Sequence, residues 1–155
     1  MKELLEYRVK LIKRLRDAAQ EFRVASESIK DPSSKVEGEW TIHQIASHTR
    51  DVDTMVYGAR IEQTLHEDNP LFKSFDADEW MASHYDPKEP LTQILDELTK
   101  NVEKHCRILA HLPTEAWSRE SRHETNGGGL TLQLWVERSL AHIEEHLQAV
   151  KKVQY

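Results

Sequence analysis

Cysteine is almost absent from this sequence, since Cys106 is the only one among 155 residues. A single cysteine excludes an internal disulfide, and chains without disulfides are typical of a reducing compartment. The first residues, MKELLEYRVKLIKRL, alternate charged side chains with leucine. They lack the uncharged core and the small-residue cleavage site of a secretory signal. We therefore expect a cytoplasmic protein.

Long apolar runs and basic clusters are also missing. No stretch of the chain approaches the roughly 20 apolar residues that a transmembrane helix needs. The net charge is −6 and no basic block occurs, so the positive surface of a nucleic-acid-binding protein is absent. With 38% hydrophobic and 31% charged residues, the composition predicts one globular domain over residues 1–155. We expect its partner to be a small molecule, not a membrane or a nucleic acid.

Helical periodicity dominates the first half of the chain. Apolar residues in steps of three, four or seven predict a first helix, which the Asp31-Pro32 step ends. A second helix is predicted from Thr41 to about His66, because Thr41 and Gln44 have the spacing of a capping box. The apolar row of the first helix is Leu4, Leu11, Leu15, Ala18, Phe22, Ala25 and Ile29, and that of the second is Ile45, Thr49, Val52, Val56 and Ala59.

Two long connections separate the remaining helices. Residues 67–90 contain three prolines and no lasting period, so we expect a crossover that covers one end of the domain. A third helix is predicted over 91–112. A connection with three consecutive glycines, 113–129, precedes a last helix from Leu132 to about Val153 that Thr131 caps. No segment has a convincing strand pattern. The sequence predicts an all-α four-helix bundle with long connections between helices 2 and 3 and between helices 3 and 4.

His142 and His146 lie four residues apart in the predicted last helix, so both imidazoles project from one face. This spacing lets two histidines bind one metal ion, although such a pair also occurs on polar faces without function. Here the pair borders an apolar row, which consists of Val136, Leu140, Ile143, Leu147 and Val150. An imidazole at the edge of a core needs a partner for each ring nitrogen. A metal ion with a hydrogen-bond acceptor behind the ring supplies both.

His48 is the expected third ligand, because it borders the apolar row of the second helix. Three neutral imidazoles from two facing helices leave a coordination position open, as a catalytic site requires. Asp51, one turn after His48, and Glu145, three residues after His142, are the candidate catalytic carboxylates. Each could orient a ligand or accept a proton, and the alternative for each is a surface carboxylate.

The other histidines and the cysteine fit such a site less well. His105 lies in the apolar row of the third helix, where a hydrogen-bonded core histidine is favoured over a fourth ligand. Cys106 points about 100° away from His105 on a helix, which argues against a Cys-His catalytic pair. His84 and His123, on the connections, could approach the site. A di-iron carboxylate site fails, because the only Glu-x-x-His match, Glu120 to His123, lies in the glycine-rich connection.

Two stretches resemble the DinB/YfiT-like superfamily of metal-dependent enzymes. WTIHQIASH, residues 40–48, resembles the family's Trp-Ser/Thr…His start of helix two, and residues 130–147, from LTL to AHIEEHL, resemble its final helix. Similar residues in family members often occupy the positions of Arg60, the Asn69-Pro70 turn, Phe75-Asp76 and Trp117. Gln44 departs from the pattern, because a glutamate is common there.

The resemblance implies a four-helix bundle, a homodimer and a divalent metal ion on three histidines. Transferred to this chain, the ligands are His48, His142 and His146, the same three that helix geometry selects. Nickel or zinc is expected first, and iron or manganese can accept the same ligand set. Family members with known activities include enzymes of thiol transfer and of thiol-dependent isomerisation of maleylpyruvate.

Four functions remain open from the sequence. The first is an S-transferase-like enzyme that uses a low-molecular-weight thiol as cosubstrate, because a metal ion lowers the pKa of a bound thiol. The second is a metal-dependent hydrolase. The third is a stress-related protein that binds a metal or a small ligand without turnover. The fourth is a bundle whose core merely contains hydrogen-bonded histidines.

Overall fold

A computed structural model describes residues 1–153 of the chain. Its helices are α1 (Lys2–Glu27), α2 (Ile42–Val52), α3 (Gly58–His66), α4 (Ala77–His84), α5 (Leu91–Ala110) and α6 (Leu132–Lys152). A π-helical turn, Asp53–Tyr57, joins α2 and α3 into one continuous rod. This rod, α1, α5 and α6 form the bundle, in which α1 packs on α5 and α6 while α2 packs on α5 and α6. The predicted four-helix bundle is confirmed.

Side-chain caps explain where the helices begin. Thr41 Oγ1 accepts a hydrogen bond from the Gln44 backbone N–H (3.2 Å), and the Thr41 backbone N–H donates to Gln44 Oε1 (2.8 Å). Thr131 Oγ1 accepts in the same way from the Leu134 backbone N–H (3.2 Å). Both predicted starts are therefore confirmed. The first helix instead ends at Glu27, four residues before the predicted stop at Asp31.

The core lies between α1, α5, α6 and the α2–α3 rod. Its largest fully buried side chains include Trp135, Phe22 and Leu15. The predicted row of α1 needs two corrections, because Leu4 is exposed in the first turn and Ile29 lies beyond the helix end. Among the helices of residues 1–153, none combines the length and the apolar character that a membrane crossing needs.

The π-turn changes the face that the second rod buries. Beyond Val56 the buried residues are Gly58, Ile61 and Thr64, whereas the regular helical row had predicted Ala59, which is half-exposed. Gly58 allows α5 to approach here. A Cβ at Gly58 would lie 2.5 Å from the Asp53 carbonyl oxygen and 2.6 Å from His105 Cε1.

The expectation of a fold without strands was wrong. The first pair is antiparallel, β1 (Lys35–Glu37) with β2 (Trp40–Thr41). A second sheet contains β3 (Leu71–Phe72), β4 (Glu120–His123) and β5 (Gly127–Thr131). β3 runs parallel to β4, with Phe72 opposite His123, and β4 runs antiparallel to β5. This sheet ties the two long connections together, and strands of two to five residues are too short to show an alternating pattern.

The 67–90 connection has more structure than its sequence predicted. Besides β3 it contains α4, whose first turn is capped by Asp76 Oδ1, the acceptor of the Glu79 backbone N–H (3.1 Å). The end of the connection is fixed to α2 by Arg50, which donates to both carboxylate oxygens of Glu89 (2.5 and 2.9 Å). The second connection begins with a 3₁₀ turn, Thr114–Ser118.

Candidate metal centre

Three histidine side chains from α2 and α6 meet between these helices. His48 Nε2 lies 3.2 Å from His142 Nε2, and His142 Nε2 lies 3.1 Å from His146 Nε2. α6 supplies two of the rings because residues four apart occupy one face of a helix, one turn from each other. The candidate ligand atoms of the three residues all lie within 4.8 Å of one another.

Aromatic neighbours hold these rings in place. Trp40, on β2, packs edge-on against His48, with ring centroids 5.1 Å apart. Tyr57, in the π-turn, packs against His142 at 5.5 Å. His146 is itself buried. The rings therefore keep a fixed orientation, which a metal site requires of its ligands.

Burial keeps two of the imidazoles neutral. It lowers the pKa of His48 to about 4, with a contribution from the neighbouring His146. It lowers the pKa of His142 to about 3, assisted by His146 and then His48. Desolvation penalises the charged form, and a second cationic ring nearby penalises it further. At neutral pH these rings carry the lone pairs that metal binding needs.

The spacing of the three nitrogens fits a shared cation better than a hydrogen-bond chain. A neutral imidazole nitrogen carries either one proton or one lone pair, so His142 Nε2 cannot satisfy two neighbours at once. Metal–imidazole bonds of about 2.0–2.1 Å place two cis ligands roughly 2.9–3.4 Å apart. The observed separations, 3.1 and 3.2 Å, fall in that interval.

The Nδ1 atoms of two of the rings point away from the cluster and form no hydrogen bond within residues 1–153. These atoms are Nδ1 of His142 and Nδ1 of His146, and both are buried. Glu37 Oε2, on β1, lies 3.2 Å from His146 Nδ1, within ion-pair distance but outside hydrogen-bond geometry. A carboxylate in this position stabilises a ligating imidazole by accepting its second N–H.

A cavity of about 500 Å³ opens beside the cluster. The α2–α3 rod, α6 and both long connections form its walls. The residues that line it are His48, Val52, Val56, Tyr57, Arg60, Ser74, Phe75, Ala77, His123, Asn126, Arg138, His142, Glu145 and His146. A ligand that fills this cavity would therefore contact residues of both connections.

The two candidate carboxylates have different surroundings. Asp51 does not line the cavity: its Oδ1 accepts from Arg50 Nε (2.9 Å) and its Oδ2 accepts from Trp80 Nε1 (3.1 Å). Asp51 thus connects α2 to α4, which is a structural role. Glu145 is exposed and lines the cavity.

The remaining candidates lie elsewhere, with one exception. His105 Nε2 lies 3.2 Å from Glu62 Oε1, in the core and outside the three-histidine cluster. Cys106 is also buried, with Sγ 3.7 Å from the Ile12 carbonyl oxygen, and burial raises its pKa to about 11. His84 stacks on Trp80. His123, by contrast, is one of the cavity residues.

A model of the DinB superfamily matches residues 10–150. This chain belongs to the DinB superfamily. The match includes both helices that carry the histidine cluster, the two connections and most of α1.

Two relatives of this DinB-superfamily chain carry similar names. A protein of Oceanobacillus iheyensis, named "Putative metal-dependent hydrolase OB0782", is 29% identical over 90 residues. Those residues are 58% of this chain and 51% of that protein, so the match spans about half the length of the relative. YfiT from Bacillus subtilis is described as a probable metal-dependent hydrolase with an unusual four-helix bundle topology. Its solved structure has a TM-score of 0.85 and 20% identity, covering 95% of this chain and 85% of that one, which establishes the shared fold.

Several residues in or beside this site had little or no signal in the sequence. Glu37 lies in a strand of three residues, and no periodicity links it to His146. Arg138 has the spacing of an exposed helical residue. Arg60 was singled out only through the family resemblance, and Tyr57 faces the cavity from the π-turn, which the sequence did not predict. His123 was a candidate without a predicted location.

Proposed function

We propose that this DinB-superfamily protein is a metal-dependent hydrolase that binds one divalent ion through His48, His142 and His146. The observation that carries the proposal is the convergence of three Nε2 atoms, with neighbouring separations of 3.1 and 3.2 Å, beside an open cavity. The names of the Oceanobacillus and Bacillus relatives support it. Nickel and zinc are the first metals to test, because imidazole ligands suit both.

Each residue of the site has a definite part in this proposal. A divalent ion held there would act as a Lewis acid and would lower the pKa of a coordinated water or thiol. Glu37 would accept the second N–H of His146 and keep its tautomer fixed. Glu145, on the cavity wall, would accept the proton that the attacking group loses. Tyr57 and Trp40 keep the rings from rotating.

Transfer of a low-molecular-weight thiol is the second candidate, and the cavity favours it in one respect. Glu145 is the only carboxylate that lines the cavity among residues 1–153, and it is exposed. A thiol ordinarily loses its proton near pH 8.5, far more readily than water does, so it depends less on a protein base. The volume of about 500 Å³ also suits a cosubstrate beside an electrophile.

Metal content is the first test, measured by elemental analysis of protein purified without a histidine tag. We expect close to one ion per chain in the wild type and a large loss in His146→Ala. The matched control is His111→Ala, which removes an exposed histidine at the end of α5. Equal metal content in all three proteins would contradict the site and favour the interpretation of a core that merely contains histidines.

Activity is the second test, made with metal-loaded protein. A panel of esters and amides, without thiol, tests hydrolysis. A panel of electrophiles, each with several thiols, tests thiol transfer. Turnover in the first panel alone supports the hydrolase, and turnover only with a thiol supports the transferase. Tight metal binding with background rates in both panels would instead favour a binding protein without turnover.

A further inference from the structure

Two arginines line the cavity and have no carboxylate partner within the described part of the chain. The Arg60 guanidinium carbon lies 4.8 Å from the centroid of the Trp135 ring, and that of Arg138 lies 5.5 Å from the same centroid. Arg60 donates one hydrogen bond, to the Lys73 carbonyl oxygen (3.1 Å). Within residues 1–153, Arg138 has neither a hydrogen bond nor an ion pair, only its contact with the indole.

The charges of Arg60 and Arg138 repel each other, and no carboxylate of residues 1–153 pairs with either one. Arg60 is half-buried, and desolvation lowers the pKa of its guanidinium; Tyr57 opposes this shift, and the charge of Arg138 adds to it. Arg50, which is also half-buried, has acidic partners in Asp51 and Glu89. Like charges held together in a partly desolvated wall cost free energy that an oxyanion recovers by accepting charge-assisted hydrogen bonds.

A third donor lies in the same cavity. His123 Nδ1 accepts the backbone N–H groups of Thr125 (3.1 Å) and Asn126 (3.2 Å). An imidazole nitrogen that accepts has no proton, so the proton of neutral His123 is on Nε2. His123 therefore offers an N–H donor, and the side-chain amide of Asn126, which also lines the cavity, can supply another.

We infer that Arg60, Arg138 and His123 form an oxyanion subsite, which binds a carboxylate or phosphate group of the substrate. The second bundle rod, α6 and β4 each contribute one of these side chains. The inference rests on the proposed function in one respect, that the rest of the substrate reaches the three-histidine cluster. Anion binding itself needs no metal. The substrate class is thus a small anionic molecule, whose reacting group and oxyanion fit together within about 500 Å³.

The test uses the full chain after metal removal by a chelator that is then dialysed away. Inorganic phosphate and acetate are titrated separately at low ionic strength, and the NMR signal of the Trp135 indole N–H is followed. We expect saturable shifts for at least one anion. The double variant Arg60→Gln/Arg138→Gln should raise its Kd at least tenfold. A lower Kd for phosphate identifies a phosphoryl group as the natural ligand, and a lower Kd for acetate identifies a carboxylate.

The matched control is Arg14→Gln/Arg107→Gln, which removes the same charge from exposed positions outside the cavity. Its Kd should stay within twofold of the wild type. If the double variant unfolds, the single variant Arg138→Gln replaces it in the test, because Arg138 is exposed. We expect its Kd to be at least threefold higher than that of the wild type. Absence of a saturable shift, or equal weakening in the control, overturns the subsite while leaving the metal proposal intact. Arginine-dependent anion binding in a protein that takes up no metal supports the subsite and contradicts the proposed function.

Discussion

Glu37 Oε2 lies 3.2 Å from Nδ1 of His146, while Nε2 of the same ring lies 3.1 Å from Nε2 of His142. The two nitrogens of one imidazole thus face a carboxylate and the histidine cluster. The short β1 strand brings Glu37 to α6, which it could not reach from the bundle helices. We therefore expect Glu37 to affect metal affinity rather than catalysis.

Replacement of Glu37 by alanine should weaken metal binding by roughly tenfold, because His146 loses the acceptor that favours its ligating tautomer. The measurement is competition with a chelator of known affinity. The control is Glu39→Ala, which removes a more exposed carboxylate that pairs with Lys35. Equal affinities of the two variants would show that the contact with His146 has no effect on the metal.

Replacement of the two candidate carboxylates should affect kcat/KM to very different extents. Glu145→Gln should lower kcat/KM about a hundredfold or more, because a positioned proton acceptor typically contributes 10²–10⁴-fold. Asp51→Asn should leave kcat/KM within about twofold, since its oxygens bind Arg50 and Trp80 outside the cavity. Metal content should be unchanged in both. A large kinetic defect in Asp51→Asn with normal folding would restore Asp51 to the site.

The stability of the protein should depend on the ionisation of Asp53. Burial, with the nearby charge of Glu62, raises the pKa of Asp53 from 3.8 to about 7. A raised pKa in the folded state contributes stability below the unfolded pKa, and this contribution is lost as pH rises towards 7. The free energy of unfolding of the wild type, minus that of Asp53→Asn, should fall by about 1.4 kcal/mol per pH unit from pH 5 to 7.

Urea unfolding at pH 5, 6, 7 and 8 measures this difference. The comparison with Asp53→Asn cancels the titration of groups that both proteins share, including the buried histidines. Two titratable groups face Asp53: Glu62, from the same rod, and Cys106, from α5. The charge of Asp53 is one of several causes that raise the pKa of Cys106. A difference that does not change between pH 5 and 8 would show that Asp53 titrates far from neutrality.

Gly58→Ala should destabilise the protein by about 1–3 kcal/mol, the usual cost of overpacking. The new Cβ would meet the Asp53 carbonyl oxygen at 2.5 Å and His105 Cε1 at 2.6 Å, so the turn or α5 must move. Gly128→Ala is the control, because its Cβ meets only Arg122 Cγ at 3.7 Å. Urea unfolding of both variants measures the effect. Equal free energies of unfolding for the two variants would show that α5 can move aside without loss of stability.

The bundle was predictable because residues close in sequence determine where its helices begin and which face they bury. The Thr41–Gln44 capping box, the Thr131 cap and the apolar rows of α5 and α6 are local patterns, and each has a direct physical meaning. His142 and His146 were predictable as a pair for the same reason, since helix geometry alone places them on one face. Their meeting with His48 followed from two apolar rows that must face each other.

The rest of the site depends on contacts that no local pattern encodes. The strands β3 and β4 pair across some fifty residues, so the position of His123 follows from that pairing and not from its neighbours in sequence. Asp51 has a suitable spacing from His48, but its carboxylate accepts hydrogen bonds from Arg50 and Trp80 outside the cavity. Arg60 was predictable from a family resemblance alone, because the regular helical period places it on the wrong side.

The π-turn at Asp53–Tyr57 accounts for that last failure. A regular α-helix advances about 100° per residue, so Arg60, twelve residues after His48, would point about 120° away from it. One additional residue in the turn reduces this difference to about 20°, and both side chains border the same cavity. A single inserted position therefore places the candidate ligand His48 and the cation Arg60 on the same side of the rod. Shortening the rod by one residue would leave His48 opposite α6 but would rotate Arg60 and Ile61 out of place, separating the proposed metal site from the proposed anion subsite.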